Sequence, residues 1–326
     1  MLSIKNLNRP RCLFVCLALI STFALRAFAE GAQSAARTRE FELTYKGEIQ
    51  LPPQVRSEVW IPLASSREGQ TILERKINLP LSFQIFTEPT YKNEILYFKT
   101  DGKELLVPFS VQYHVVTDLN FFKTPLSQRE TALYLRPSRL MTVDRRVRKI
   151  AAAVVPEKAS LIDKAKAIYE YVIGHMTYDK NTPGWGKGDT ERACVVGKGN
   201  CTDFHSLFIS VAHAAEIPAR FKIGFQVPTD PEGPIPGYHC WAEFSDEQSI
   251  WNPVDASEAW KHPEKRDVYF AHFDPNKFLM SIGRDITLKP KQKGDPVNIF
   301  FYPYLEADGK VLENVVNTEF YYRSVK

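Results

Sequence analysis

Five cysteines in 326 residues are too few for a disulfide framework, and a chain of this length buries enough surface to fold without one. No CxxC or HxxxH pair occurs, so the spacing of a closed zinc site is missing. An Asp-rich loop with a central Gly, the mark of a calcium site, is missing too. No metal and no cofactor is therefore expected. Internal repeats and low-complexity tracts are also absent. The formal charge of +4 resides entirely in Lys5, Arg9, Arg11 and Arg26. Without them Lys+Arg and Asp+Glu stand equal at 38 each. A neutral body gives no reason of charge to invoke nucleic acid or an anionic membrane surface. Beyond residue 29 no stretch is apolar enough to span a bilayer, so no integral span is expected in the mature chain.

The first segment has a specific pattern. Lys5, Arg9 and Arg11 precede an apolar run of 14 residues, Cys12 to Leu25, and Ala27-Phe28-Ala29 places small residues at the cleavage subsites. This predicts a signal peptide over 1–29, cleaved near Ala29, and a periplasmic or secreted protein; an uncleaved anchor is the alternative. Cys194, Cys201 and Cys240 then remain. An odd count in an oxidising compartment implies at least one free thiol, with Cys194–Cys240 as a candidate pair that would leave Cys201 free.

Short β-branched and aromatic runs occupy 41–46, 58–63, 71–79, 82–86, 94–99 and 105–116, punctuated by Pro52-Pro53, Asn93 and Asp101-Gly102. They predict an N-terminal antiparallel β-sandwich-like domain over 30–145. From Asp144 the character turns helical, which places a boundary near 140–146 and a mixed second domain at 146–326. Pro156-Glu157 suits a helix start, and Leu161, Ala165, Ile168, Val172 and Ile173 recur at helical period until Gly174. A glycine- and lysine-rich loop, Asp179 to Asp189, carries Trp185. A second helix begins near Cys201, with Phe204, Leu207, Phe208, Val211 and Ala215 on one stripe, and ends at Ile217-Pro218. Extended runs follow at 219–225, 238–244, 250–254, 299–306 and 315–322. The fold class is α+β.

Cys201 heads that second helix. A helix N-terminus presents unpaired N–H groups and partial positive charge, which favour a thiolate and can hold an oxyanion. His239 opens the strand at 238–244 and Asp255 closes the next, so an antiparallel pair can set carboxylate beside imidazole. The order Cys, His, Asp on a helix and two adjacent strands is that of a papain-like arrangement. His205, four residues from Cys201 on the same helix, competes as the base. Trp241 shares the strand face of His239, either packing over the imidazole or touching substrate. Trp185 is a second candidate substrate contact, against the default of a surface aromatic.

Taken together, Gly199-Asn200-Cys201-Thr202-Asp203-Phe204, Ile217-Pro218-Ala219-Arg220, Gly237-Tyr238-His239-Cys240-Trp241-Ala242-Glu243-Phe244 and Trp251-Asn252-Pro253-Val254-Asp255 resemble the transglutaminase-like superfamily, particularly its exported bacterial members. The likeness is concentrated at about 158–260. It implies a transglutaminase-like, cysteine-proteinase type core with Cys201 as nucleophile, His239 as general base and acid, and Asp255 as orienter. It departs from the usual motif at Glu216, where Gly is common, and at His213, where Arg is common. Members include cross-linkers, amidases, proteases and inactive relatives. The expected reaction is acyl transfer at an amide of a peptide or protein substrate, with hydrolysis favoured over cross-linking. The alternative is a non-catalytic cell-envelope binding or scaffold protein on the same fold.

Overall fold

Strict alternation organises the first strand. In β1 (Thr38–Gln50) Phe41, Leu43 and Tyr45 are buried while Glu40, Glu42 and Thr44 between them are not, the pattern of a sheet with one face on the core. The computed structural model describes residues 38–121, 123–313 and 315–325, so the leader expected over 1–29 lies outside the described residues. Strands β2 (Ser57–Leu63), β3 (Gln70–Asn78), β4 (Gln84–Thr87), β5 (Glu94–Thr100) and β6 (Leu106–Asp118) follow. Then come α1 (Gln128–Leu133), α2 (Arg145–Val154), α3 (Leu161–His175), β7 (Thr177–Tyr178), α4 (Thr190–Val196), β8 (Lys198–Gly199) and α5 (Cys201–Ala214). The remainder is β9 (Ala219–Gln226), β10 (Glu232–Pro234), β11 (His239–Ser245), β12 (Trp251–Val254), α6 (Ala256–Lys261), β13 (Lys277–Ile282), β14 (Tyr304–Ala307), β15 (Lys310–Val311) and β16 (Val316–Ser324).

Two five-stranded antiparallel sheets, ordered β10-β16-β1-β6-β3 and β15-β14-β2-β5-β4, share one hydrophobic core through their inner faces. The expected sandwich is present, and late strands complete both of its sheets. β16 lies against β1 with Tyr45 opposite Phe320 and Leu43 opposite Tyr322. The Phe320 ring stacks on Tyr45 at 4.8 Å and meets Phe225 of β9 at 4.5 Å. That contact ties the sandwich to a four-stranded antiparallel sheet, β12-β11-β9-β13. The fold is α+β, as the sequence predicts.

Helix α5 packs on this sheet through Phe208 and Phe244, 6.4 Å between ring centres. One apolar stripe is expected, yet every residue from Cys201 to His213 is buried. The sheet covers one side, while α2, α3, α4 and α6 cover the rest. Burying Phe204, Leu207, Phe208 and Val211 contributes roughly 1.5–3 kcal/mol each. Its polar residues survive burial because each has a partner: Ser210 meets Thr190 Oγ1 at 2.7 Å, and Ser206 accepts from Arg284 at 2.7 Å.

Three boundaries differ from expectation. Helix α3 starts after Ser160, whose hydroxyl accepts from the Asp163 N–H, rather than at Pro156; the side-chain cap decides the start. The run 299–306 is strand only from Tyr304, because Phe300 and Phe301 turn inward instead of pairing. β13, unforeseen, reads Lys-Phe-Leu-Met-Ser-Ile and is almost wholly buried, so it lacks the alternation that reveals a strand. Among the described residues no helix is long and apolar enough to cross a membrane.

Candidate active site

Asn200 caps α5 and makes Cys201 its first residue. The Asn200 side chain accepts from the Thr202 N–H at 2.9 Å, and its carbonyl accepts from the Asp203 N–H at 3.0 Å. Capping thus consumes two of the first-turn donors expected to be free. The Cys201 N–H finds no acceptor among the described residues, and it points from the same residue as the sulfur.

His239 begins β11, and Asp255 follows β12, which pairs with β11 through Ala242 opposite Val254. The His239 Nε2–H donates to Asp255 Oδ2 at 2.6 Å, and the Cys201 side chain lies close enough to the imidazole to help hold its proton. Cys201, His239 and Asp255 are therefore brought together, imidazole between thiol and carboxylate. A hydrogen bond from Cys240, joined by the bond and charge of His239, holds the Cys201 thiol well below its ordinary 9.0 against the upward push of desolvation. Burial alone would depress His239, but the Asp255 charge and hydrogen bond prevail and raise it to about 9. Both shifts favour a thiolate–imidazolium pair.

Asp255 has four partners. Besides His239, Oδ2 accepts from Lys277 Nζ at 2.6 Å, while Oδ1 accepts from Ser257 Oγ at 3.1 Å and the Glu258 N–H at 3.2 Å. Desolvation is outweighed by His239 and Lys277, which keep this carboxyl well below the usual carboxylate range. Lys277 was not apparent in the sequence, since only the pairing of β13 with β9 carries it to this corner.

His205 does not compete for the proton. Its Nδ1–H donates to the Cys201 carbonyl at 2.7 Å, and its Nε2 accepts from the Ala256 N–H at 3.1 Å. Both nitrogens are committed to backbone, and burial lowers the ring to about 4. It is a neutral strut between α5 and α6.

Cys240 lies on the face of β11 toward α5, its sulfur 3.4 Å from Thr202 Oγ1. Burial and the neighbouring Cys201 push its thiol well up. Cys194 belongs to α4, and all three thiols are free, so no Cys194–Cys240 bond is present.

Trp241 is buried and stacks on His239 with ring centres 6.3 Å apart and planes 18° off parallel. Lys277 Nζ lies 5.2 Å from its ring centre. Its position is that of a packing partner of the imidazole. Trp185 is 37% exposed on a loop whose anchoring was not foreseen. Asp203 accepts from Gly186 N–H at 2.7 Å and Gly188 N–H at 3.0 Å, and Arg284 holds the Lys187 carbonyl at 2.8 Å. Gly188 has φ +64, and a Cβ there would lie 2.4 Å from Ser206 Oγ, so only glycine fits. The loop crosses the start of α5, Gly186 lying near Asn200 and the Tyr238 hydroxyl. Cys201 is 2% and His239 7% exposed, beside Tyr178 and Tyr238. Among the described residues no three His, Cys, Asp or Glu gather as metal ligands.

An uncharacterized protein of Haemophilus influenzae is 24% identical over 339 residues, covering 88% of this chain and 90% of that protein. A solved structure from Cytophaga hutchinsonii, provisionally named a cysteine protease, superposes with a TM-score of 0.61 at 16% identity, covering 89% of this chain and 91% of that one; the likeness establishes a shared fold. The periplasmic domain of TgpA from Pseudomonas aeruginosa matches at a TM-score of 0.41 and 17% identity, over 71% of this chain and 91% of that one. Residues 148–256, from α2 to the start of α6 and including Cys201, His239 and Asp255, match the family model of the transglutaminase-like superfamily. Through this segment, about one third of the chain, the protein is similar to the transglutaminase-like superfamily.

Proposed function

We propose that the chain is an exported thiol enzyme that breaks amide bonds of peptides or proteins by acyl transfer, with residues 146–326 carrying the chemistry and the earlier strands serving as an accessory module. The observation that carries this reading is the His239 imidazole held between the Cys201 thiol and the Asp255 carboxylate. The thiolate attacks the carbonyl carbon, and the oxyanion that forms is met by the Cys201 N–H and the positive end of α5. His239, as imidazolium, gives its proton to the leaving amine, while Asp255 keeps the ring oriented through Nε2. The C–N bond breaks, leaving a thioester on Cys201. Neutral His239 then takes a proton from water, whose oxygen attacks the thioester and releases the acid. Water is favoured over an amine as acceptor because it is the default nucleophile at an open thioester. The leader read over 1–29 would deliver the mature chain to the periplasm or beyond.

The burial of Cys201 favours a second reading, a non-catalytic envelope binding protein. Incubating wild type and Cys201→Ala with denatured casein and a fluorescent primary amine separates the possibilities. New peptide N-termini that need Cys201 are expected. Amine incorporation without new N-termini would replace hydrolysis by cross-linking, and neither product would favour the binding role.

A further inference from the structure

The face of the four-stranded sheet away from α5 carries a feature the chemistry above does not use. Cys240 and Phe244 of β11 meet α5, so Trp241 and Glu243 point to the other side. Opposite them on β9 stand Lys222 and Arg220. Lys222 and Arg220 border a cleft of about 700 Å³, whose other walls come from the turn before β3, the loop before β5, and α1 with the residues after it. Four more cations line it: Arg67, Lys92, Arg129 and Arg136. Among the described residues none of these four forms an ion pair.

The nearby carboxylates already have partners within the chain. Glu130 folds back on the Ser127 N–H and hydroxyl at 2.9 and 2.6 Å. Glu243 is shared by Arg220 and Lys222, and Glu68 reaches Arg220 at 3.3 Å. With Glu68 and Glu243 set against Arg220 and Lys222, the excess of positive charge comes from Arg67, Lys92, Arg129 and Arg136, against Glu130 alone. Burial, only partly opposed by Glu243 and aggravated by Arg220, lowers Lys222 to about 8. Arg220 is held rigidly, its guanidinium 4.0 Å from the Trp251 ring centre. Preorganised guanidinium groups in a partly dry cleft suit carboxylates, which they bind in bidentate fashion.

Glu243, paired with the cleft's Arg220, lies four residues from His239, roughly 13 Å along β11, with the buried Trp241 between them. An extended peptide spans that distance in about four residues. The volume also exceeds what one inorganic anion fills. We propose that this cleft binds a carboxylate-rich peptide segment of the substrate, four or more residues from the amide that Cys201 attacks. This rests on the thiol-enzyme reading.

The test uses the full chain carrying Cys201→Ala, so binding is read without turnover. Fluorescence anisotropy compares a labelled hexapeptide containing four Glu with its Gln counterpart. The Glu peptide is expected to bind at least about tenfold more tightly, with the preference weakened at high salt. Arg129→Ala/Arg136→Ala, both exposed in the folded chain, should weaken the Glu peptide about tenfold and leave the melting temperature unchanged. Equal affinity for the two peptides, or no loss in the double variant, overturns the proposal. Displacement by inorganic phosphate at matched charge would reduce the cleft to a simple anion site and also overturn it. Binding with an inert Cys201 would contradict only the enzyme reading, and turnover without binding would contradict only this one.

Discussion

Two histidines approach the Asp255 carboxylate, His239 at 2.6 Å and His205 at 3.6 Å, and burial acts on both. Their pKa values move in opposite directions because His239 has the charge and hydrogen bond of Asp255, whereas His205 must accept from the Ala256 N–H. That acceptance requires a bare Nε2, so protonating His205 breaks it. Its folded pKa of about 4 lies below the ordinary 6.5. Between those values the unfolded chain holds more protons, and stability therefore falls as pH drops from 6.5 toward 4, by up to ~3 kcal/mol from this group. His205→Asn, which keeps a donor for the Cys201 carbonyl but cannot titrate, is expected to flatten that part of the stability curve in urea unfolding; an unchanged slope would contradict the assignment. His239 and Asp255 were readable because they terminate consecutive strands that could only pair side by side. Lys277, Asp203 and the fate of His205 were not, since each depends on what a distant segment brings into contact.

At the level of elements, α3 and α5 were legible from apolar period, and most strands from alternation. Helix α1 has no buried residue, so it leaves no periodic signature. Helix α4 is only seven residues, and its Asp189 cap was read as the end of the glycine- and lysine-rich loop. The turn after α5 explains one departure from the family pattern. Glu216 has φ 59, the left-handed region where a Cβ costs about 1–2 kcal/mol and glycine is at ease. Its side chain is exposed. Glu216→Gly is expected to stabilise the chain by ~0.5–1 kcal/mol after the extra unfolded-state entropy of glycine, a rise of about 1–3 °C in Tm. A fall in thermal unfolding temperature would show that Glu216 makes a compensating contact. His213, the other departure, bonds the Ala219 carbonyl through Nε2 at 3.1 Å and so closes the same turn.

Across the whole molecule, Thr38–Lys326 forms one compact unit, and Phe320 is the point where the last strand, the first strand and the sheet of His239 meet. Truncating Phe320 to Ala removes a buried ring between Tyr45 and Phe225 and is expected to cost about 3–5 kcal/mol. Loss of the sandwich signal and exposure of the buried Cys240 to alkylation should then occur in one thermal transition; two separated transitions would mean that the sandwich and the thiol-bearing sheet melt independently. The pairing of thiol, imidazole and carboxylate, on which the functional account depends, is reached most directly through iodoacetamide labelling of the intact protein from about pH 5 to 10, with Cys201 followed by peptide mapping. A thiolate held by His239 should label rapidly already at about pH 6, and His239→Ala should slow that labelling at least about tenfold. Labelling of Cys201 that rises only near pH 9, at the same rate with and without His239, would contradict the account.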